Sequence, residues 1–328
     1  MKTKLKWIGI DVSKATLDIC ILSDQKEFFT IDNTIKAIKV FFTKHLSSDS
    51  NNYVCIENTG KYGWFLMEIL PELDCVLYVV NPLHLKRSLG LVRGKNDKID
   101  AFRITKFIKN NHNDLTPFIT QRKAIKDLQV LLTERKHRIK QRKELVLKNK
   151  EYTSLTDQKL IKLLTRKNNI LIKQLDKQIK EFEQVITQII NQDEKLTMLN
   201  KQLTSTPGVG KVLAWNLLVK TNEFKMITEP RKLACYAGVA PFENRSGTSI
   251  YRKPRVSSLA DKELKRLLHL GAMSAIRLEN DLSIYYKRKV EQGKNKMSVL
   301  NAVRNKIIHI IFALIKNQTF YQNRLPMS

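Results

Sequence analysis

The sequence predicts an α/β unit at the N-terminus, a pair of long helices in the middle and a mostly helical second domain at the C-terminus. Three observations lead there. Short runs rich in β-branched and aromatic residues recur through the first hundred positions, at strand length and separated by turn-like pieces. Residues 118–206 contain neither Gly nor Pro, and apolar residues recur there at Ile172, Leu175, Ile179, Phe182, Ile186 and Ile189, the three-four alternation of a coiled-coil seam. After Thr206 the composition shifts, with Pro207, Gly208, Gly210, Pro230, Gly238, Pro241, Gly247, Pro254 and Gly271 dividing the chain into shorter pieces. The expected divisions are residues 1–117, 118–204 and 205–328.

Taken in order, "KWIGIDVS", "TLDICILS" and "EFFTIDN" read as three strands in a meander. "IKAIKVFFTKHL" has helical periodicity and follows a cap at Asn33 or Thr34, whose side-chain oxygen can take a free backbone N–H. "YVCIEN" is a fourth strand, "WFLMEIL" a helix and "CVLYVVN" a fifth strand. A meander followed by strands alternating with helices makes a mixed sheet flanked by helices. In the middle segment a second stripe runs through Ile125, Leu128, Leu132, Ile139 and Val146, and residues 151–158 break the pattern with a new cap at Thr156 or Asp157. That gives two helices, paired with each other or with another protomer. Residues 238–259 read as irregular, and residues 299–317 as one amphipathic helix packed on the C-terminal domain.

Composition narrows the function. Lys and Arg number 59 against 31 Asp and Glu, a formal charge of +28. Such an excess repels itself unless a polyanion neutralises it, and nucleic acid is the expected polyanion. The longest apolar runs are strand-length, so no segment is expected to cross a bilayer, and the N-terminus lacks the apolar core and cleavage site of a signal peptide. Cys20, Cys55, Cys75 and Cys235 show no paired spacing, which fits free thiols in a reducing compartment and no zinc site. A cytoplasmic, nucleoid-associated protein is expected. The six histidines have no ligand spacing.

The acids stand out against this basic background. Asp11 closes the first strand and Glu57 the fourth; Asp97 and Asp100 sit three apart in "RGKNDKIDAFRI", on one helical face where they repel. If the first and fourth strands are neighbours, Asp11 and Glu57 project together, and Asp97 and Asp100 reach the same place from a helix start. Four acids so gathered call for divalent cations, and oxygen-only ligands favour Mg²⁺ or Mn²⁺. Two such ions about 4 Å apart would clamp the attacking and leaving oxygens of a phosphodiester. Taken singly, Asp97 serves equally as a helix cap, and Asp100 as a partner for Arg103 or Lys106.

The segments "GIDVSKATLDICI", "ENTGKYGWFL", "VNPLHLKRSLGLVRGKNDKIDAFRI" and "TPGVGKVLAWNLLV", with the stretch from "RKLACYAGVAPFENRSGTSIYRK" to "LLHLGAM", resemble the IS110-family (IS110/IS1111) transposases, relatives of the pilin-gene invertases, over nearly the whole chain. The resemblance implies a RuvC-like (ribonuclease H-like) domain with Asp11, Glu57, Asp97 and Asp100 as a catalytic, metal-holding tetrad, then a coiled coil, then a C-terminal transposase domain. It implies a DNA recombinase of an insertion sequence, guided to target and donor DNA by a noncoding bridge RNA. It also implies a nucleophilic serine, best matched by Ser246 in "APFENRSGTSIYRK" with Ser249 next, which would form a 5′-phosphoserine link. Arg245, Arg252 and Lys253 around it suit a scissile phosphate. "STPGVGK" reads as half of a helix-hairpin-helix in which Gly208, Gly210 and Lys211 meet DNA backbone at a helix start. Lys61, Arg93 and Lys95, beside the acids, are further expected phosphate contacts. Recombination between two duplexes further leads to the expectation of a homo-oligomer, a dimer assembling to a tetramer. The alternative is a metal-dependent RuvC-like nuclease or Holliday-junction resolvase that uses water at the same acids.

Overall fold

The computed structural model describes residues 4–46, 49–58, 60–88, 96–246 and 250–323. Arg93, Lys95 and Ser249 lie outside the described residues. The chain forms two compact units, Met1–Thr120 and Gln121–Ser328.

In the first unit β1 (Lys4–Val12), β2 (Thr16–Leu22) and β3 (Lys26–Asp32) form the meander, followed by α1 (Ile35–His45), β4 (Ser50–Glu57), α2 (Trp64–Ile69), β5 (Val76–Val80), α3 (Pro82–Ser88) and α4 (Asp97–Asn111). The sheet order is β3-β2-β1-β4-β5. β1 runs antiparallel to β2 and parallel to β4, so the expected mixed sheet is present. Thr34 caps α1, its side chain accepting from the N–H of Ala37.

Alternation along β1 sends its residues to two different layers. Ile8, Ile10 and Val12 join Ile38, Phe41 and Phe42 of α1 and Leu66 and Ile69 of α2 in one core. Trp7, on the other face, joins Ile104, Phe107 and Ile108 of α4. Gly9 lies on that second face, and there α4 comes down onto the strand backbone. A Cβ built on Gly9 would stand 2.3 Å from the backbone N of Thr105 and 2.5 Å from the carbonyl O of Ala101. Only glycine permits so close an approach. The Thr105 hydroxyl lies 3.1 Å from the carbonyl O of Cys20 and 2.9 Å from that of Ala101, and Cys20 is the β2 partner of Gly9. The helix is thereby fixed across β1 and β2 at one point.

The second unit opens with α5 (Lys123–Glu151) and α6 (Gln158–Asn191). They pair with each other, antiparallel: Arg135 meets Glu183 at 2.6 Å, Arg142 meets Asp176 at 2.5 Å, and Asn149 donates to Asn169 at 3.0 Å. Asp157 caps α6. The seam residues Ile172, Leu175, Ile179 and Phe182 are half-buried and Ile186 fully buried. Then follow α7 (Glu194–Ser205), α8 (Lys211–Lys220), α9 (Pro230–Tyr236), β6 (Pro241–Ser246), β7 (Ile250–Val256), α10 (Lys262–Ala275), α11 (Asp281–Glu291) and α12 (Lys296–Asn317). One core joins Ile125, Leu128, Ile186 and Ile190 at the base of the helical pair to Leu203, Trp215, Leu217, Leu268, Ile307 and Ile311. Arg122 braces this junction, bonding Asp193 at 2.6 Å and the fully buried Glu223. Burial works against the Glu223 charge, and its bonds to Arg122 and Lys225 more than offset that, holding its carboxyl below the usual range.

Two sequence readings are corrected here. Residues 238–259 contain an antiparallel hairpin, β6 with β7, and are not simply irregular. Its register shifts between Phe242 and Asn244, opposite Lys253 and Pro254. Proline within a strand sits at such irregularities, and that is why the run hid its strand character. Second, the longest apolar run is not strand-length, because α12 is long and apolar enough to cross a membrane by length and composition alone. Its Leu300, Val303, Ile307, Ile308 and Ile311 are buried in the core of this unit, which accounts for the apolar face.

The contact at Gly9 yields a prediction. Gly9→Ala forces a methyl group into the α4 backbone, and unfolding in denaturant is expected to show a loss of about 1–3 kcal/mol. An unchanged midpoint would mean that α4 does not bear on β1.

Candidate active site

Asp11 is the penultimate residue of β1 and pairs in register with Asp18 of β2. Ile10 aligns with Ile56 on the parallel neighbour β4, so Glu57, one residue on, stands at the same level as Asp11. The helix seated on Gly9 starts at this end of the sheet and carries Asp97 and Asp100 in its first turn, where the free N–H groups and the helix dipole favour negative charge. The cap is Asn96, whose side chain accepts from the N–H of Lys98 at 3.0 Å. Asp97 is therefore not spent on capping.

The electrostatics register the convergence. The Asp11 carboxyl is pushed up to about 6, first by burial and then by the charges of Asp100, Asp97, Glu57 and Asp18. Asp100, Asp97 and Glu57 thus all bear on Asp11 at one end of the sheet. Asp18 is a fifth that sequence reasoning left outside the set. It is buried and accepts from the Thr30 hydroxyl at 2.6 Å. The signal for it was the hairpin itself, because a short turn after Val12 sets residues 11 and 18 opposite each other. Asp100 also accepts from Arg103 at 2.6 Å, so the pairing weighed against a metal role is present together with the clustering.

The donor set is all oxygen and carries surplus negative charge at Asp11, which suits a hard divalent cation. Among the described residues no three acidic, His or Cys side chains already stand close enough together to hold an ion. A cation would have to draw the carboxylates inward. Lys61 is exposed in the turn Gly60–Gly63 beyond Glu57, its ammonium 5.6 Å from the Tyr62 ring centroid.

In the second unit Ser246 is the last residue of β6 and pairs with Ile250; Arg245 pairs with Tyr251 and Asn244 with Arg252. Ser246 thus ends its strand, with Arg245 beside it and Arg252 and Lys253 on the returning strand. The Pro-Gly-Val-Gly turn links α7 to α8. Gly208 has φ +81°, and a Cβ there would stand 2.1 Å from the carbonyl O of Gly271 in α10, so this glycine serves packing between the turn and α10. Gly210 has open space around it and caps α8 without a side-chain bond, and Lys211 is exposed. An open groove of about 530 Å³ runs past Thr206, Gly208, Gly210, Asn280 and Tyr321.

A mixed sheet of this order, with acids from β1, β4 and a helix start at one end, is consistent with the RuvC-like class of nucleic-acid enzymes. Residues 8–157 match the DEDD transposase domain of the IS110 type, and residues 200–287 match the domain described as "Transposase IS116/IS110/IS902 family". The chain belongs to the IS110 family of transposases. It is 26% identical over 330 residues to the pilin gene-inverting proteins of Moraxella bovis and Moraxella lacunata, across 97% of this chain and 98% of each relative. It is 35% identical over 130 residues to the insertion element IS110 43.6 kDa protein of Streptomyces coelicolor, across 39% of this chain and 31% of that protein.

The raised Asp11 pKa fixes the sign of a pH effect. The folded state holds a proton on Asp11 up to about pH 6, while the unfolded chain releases it near the ordinary value of about 3.9. Ionisation of this group therefore lowers stability as pH rises between those values. Asp11→Asn is expected to gain stability over the unmodified protein as pH climbs from 4 to 6, with a constant difference above that, in thermal melts without divalent cations. A difference that does not change with pH would show that neither burial nor the neighbouring charges hold the Asp11 carboxyl above its ordinary range.

Proposed function

We propose that the protein is an RNA-guided DNA recombinase of an insertion sequence, with a divalent cation held by Asp11, Glu57, Asp97 and Asp100 and with Ser246 as nucleophile. The observation that carries this reading is the gathering of Asp11, Glu57, Asp97 and Asp100 at one end of the sheet in a chain of charge +28, with burial and then the neighbouring charges holding the Asp11 carboxyl above its usual range. Family membership supports DNA as substrate and an insertion-sequence recombinase as the class. The pilin gene-inverting relatives, similar along their full length, are named for a DNA inversion.

Bound at these acids, Mg²⁺ or Mn²⁺ would supply Lewis-acid stabilisation of charge building on phosphate oxygens. The chain's own groups do the rest. Ser246 Oγ forms a bond to phosphorus as the bond from phosphorus to the 3′ oxygen breaks, and the serine proton ends on that departing oxygen. The product is a 5′-phosphoserine and a free 3′ hydroxyl, so the phosphoester energy is kept for rejoining. Arg245, Arg252 and Lys253 neutralise the phosphate, Arg in its bidentate geometry. Lys61, Arg93, Lys95, Gly210 and Lys211 hold backbone without reading sequence, and Gly208 seats the turn before α8 on α10. Sequence choice comes from pairing with the bridge RNA, whose phosphates, with those of two DNA duplexes, account for the excess positive charge. A dimer assembling to a tetramer would supply four nucleophiles; the Ile172–Ile189 seam, expected as its contact, is turned toward α5 of the same chain.

The test uses DNA carrying the element's junction, with the co-purified RNA present. Ser246→Ala is expected to abolish the covalent protein–DNA adduct while RNA stays bound, and Asp11→Ala or Asp100→Ala to abolish strand cleavage. Cleavage that persists in Ser246→Ala without an adduct would instead select water as the nucleophile.

A further inference from the structure

The α4 face of the sheet carries a second feature that the core does not use. β3 is an edge strand. Its Phe29 and Ile31 pack against the α1 side, which leaves Lys26, Phe28 and Thr30 on the opposite face, toward α4. Phe28 is 37% exposed. On α4, Phe102 and Lys106 are four residues apart, on the flank that borders β3. The rings of Phe28 and Phe102 lie 6.5 Å apart at 69°. The Lys26 ammonium stands 5.4 Å from the Phe28 centroid and 4.5 Å from that of Phe102, and the Lys106 ammonium 5.6 Å from Phe102. Both lysines are exposed.

The place of this cluster gives it meaning. Phe28 is two residues from Thr30 on the same face, Thr30 holds Asp18, and Asp18 faces Asp11. With strands about 4.8 Å apart and a two-residue step of about 6.8 Å, the rings lie on the order of 12 Å from Asp11. That is about three nucleotides at the duplex rise of 3.4 Å and fewer in an extended strand. Aromatic faces flanked by cations at solvent match the stacked base and charged backbone of a single strand. A lipid surface would ask for a larger apolar area, and a peptide would not need two ammonium groups poised over the rings, which a base displaces toward its own phosphates.

We propose that Lys26, Phe28, Phe102 and Lys106 form a platform for an unpaired nucleobase of the strand whose phosphate lies at the acid cluster. The base stacks on the phenyl rings, and the two ammonium groups turn to its flanking phosphates. A paired base within a duplex has both faces covered by its neighbours, so the platform selects strand ends, splayed bases or single-stranded nucleic acid. The inference rests on the acid cluster being the place where a nucleic-acid strand is handled.

The experiment uses the full-length protein and a short single-stranded DNA bearing one fluorescent purine, with the same strand made abasic at that position as reference. Phe28→Ala and Phe102→Ala are each expected to weaken binding of the purine strand about five- to a hundredfold and to remove its fluorescence quench. The abasic strand is expected to bind equally to all forms. Phe28 is exposed, so Phe28→Leu keeps apolar bulk without a ring and is expected to behave as Phe28→Ala, whereas Phe102→Trp keeps binding. Equal affinity and quench in every variant would overturn the platform, as would a loss of equal size on the abasic strand. Asp11→Asn separates this inference from the reading beneath it: quench retained with cleavage lost supports both, and quench retained with cleavage intact removes the acid-cluster reading alone.

Discussion

The joining of the helix acids to the strand acids depends on one contact, the seating of α4 on the bare backbone of Gly9. Strand pairing alone brings together Asp11, Asp18 and Glu57, because β1 lies between β2 and β4. Asp97 and Asp100 arrive only if α4 lies flat and in the correct rotation across β1 and β2. The missing side chain at Gly9 sets the depth of that helix, and the Thr105 bond to Cys20 fixes its position along the strands. Ala101, Ile104, Thr105 and Ile108 then face the sheet, fully or almost fully buried, and the acids are left at the helix start. The price of the arrangement falls on Asp11, whose carboxyl is reluctant to ionise first because it is buried and then because other carboxylates surround it.

The second unit repeats the device at another place. Gly208 and Gly271 bring the turn before α8 against the backbone of α10, which fixes the open start of α8. Ion pairs then hold what packing alone would leave loose. Arg122 joins the foot of the helical pair to the cap of α7 and to buried Glu223, where three successive residues, Asn222, Glu223 and Phe224, take left-handed φ values. Such backbone persists only when its surroundings over-determine it, and the salt-bridge cluster with Lys195 and Lys225 does that here.

Much of this was legible in the sequence for a physical reason. Strands buried on one or both faces and helices with a seam carry periodic apolar patterns, so the five strands of the sheet and the paired α5 and α6 could be read directly. The four acids could be picked because carboxylates at strand ends and a helix start are conspicuous in a basic chain. Asp18 was not picked, since its importance lies in register with Asp11, which appears only when β1 and β2 are paired. The β6–β7 hairpin was obscured by Pro254 and by its charged residues. At Gly208 the sequence leaves a phosphate contact and a plain turn between core helices both open, because a glycine required for close packing and one required for ligand approach look alike, and the neighbour Gly271 is 63 positions away.

The central claim is that the acids brought together by the Gly9 contact form one cation site. Binding of Mn²⁺ to the full-length protein, followed by the loss of the free-ion electron paramagnetic resonance signal, tests it most directly. Saturable binding is expected, weakened about tenfold or more by each of Asp11→Asn, Glu57→Gln, Asp97→Asn and Asp100→Asn, the loss of one ligating oxygen being worth at least about 1.4 kcal/mol. Binding of equal strength in all four variants, or none in the unmodified protein, would contradict it.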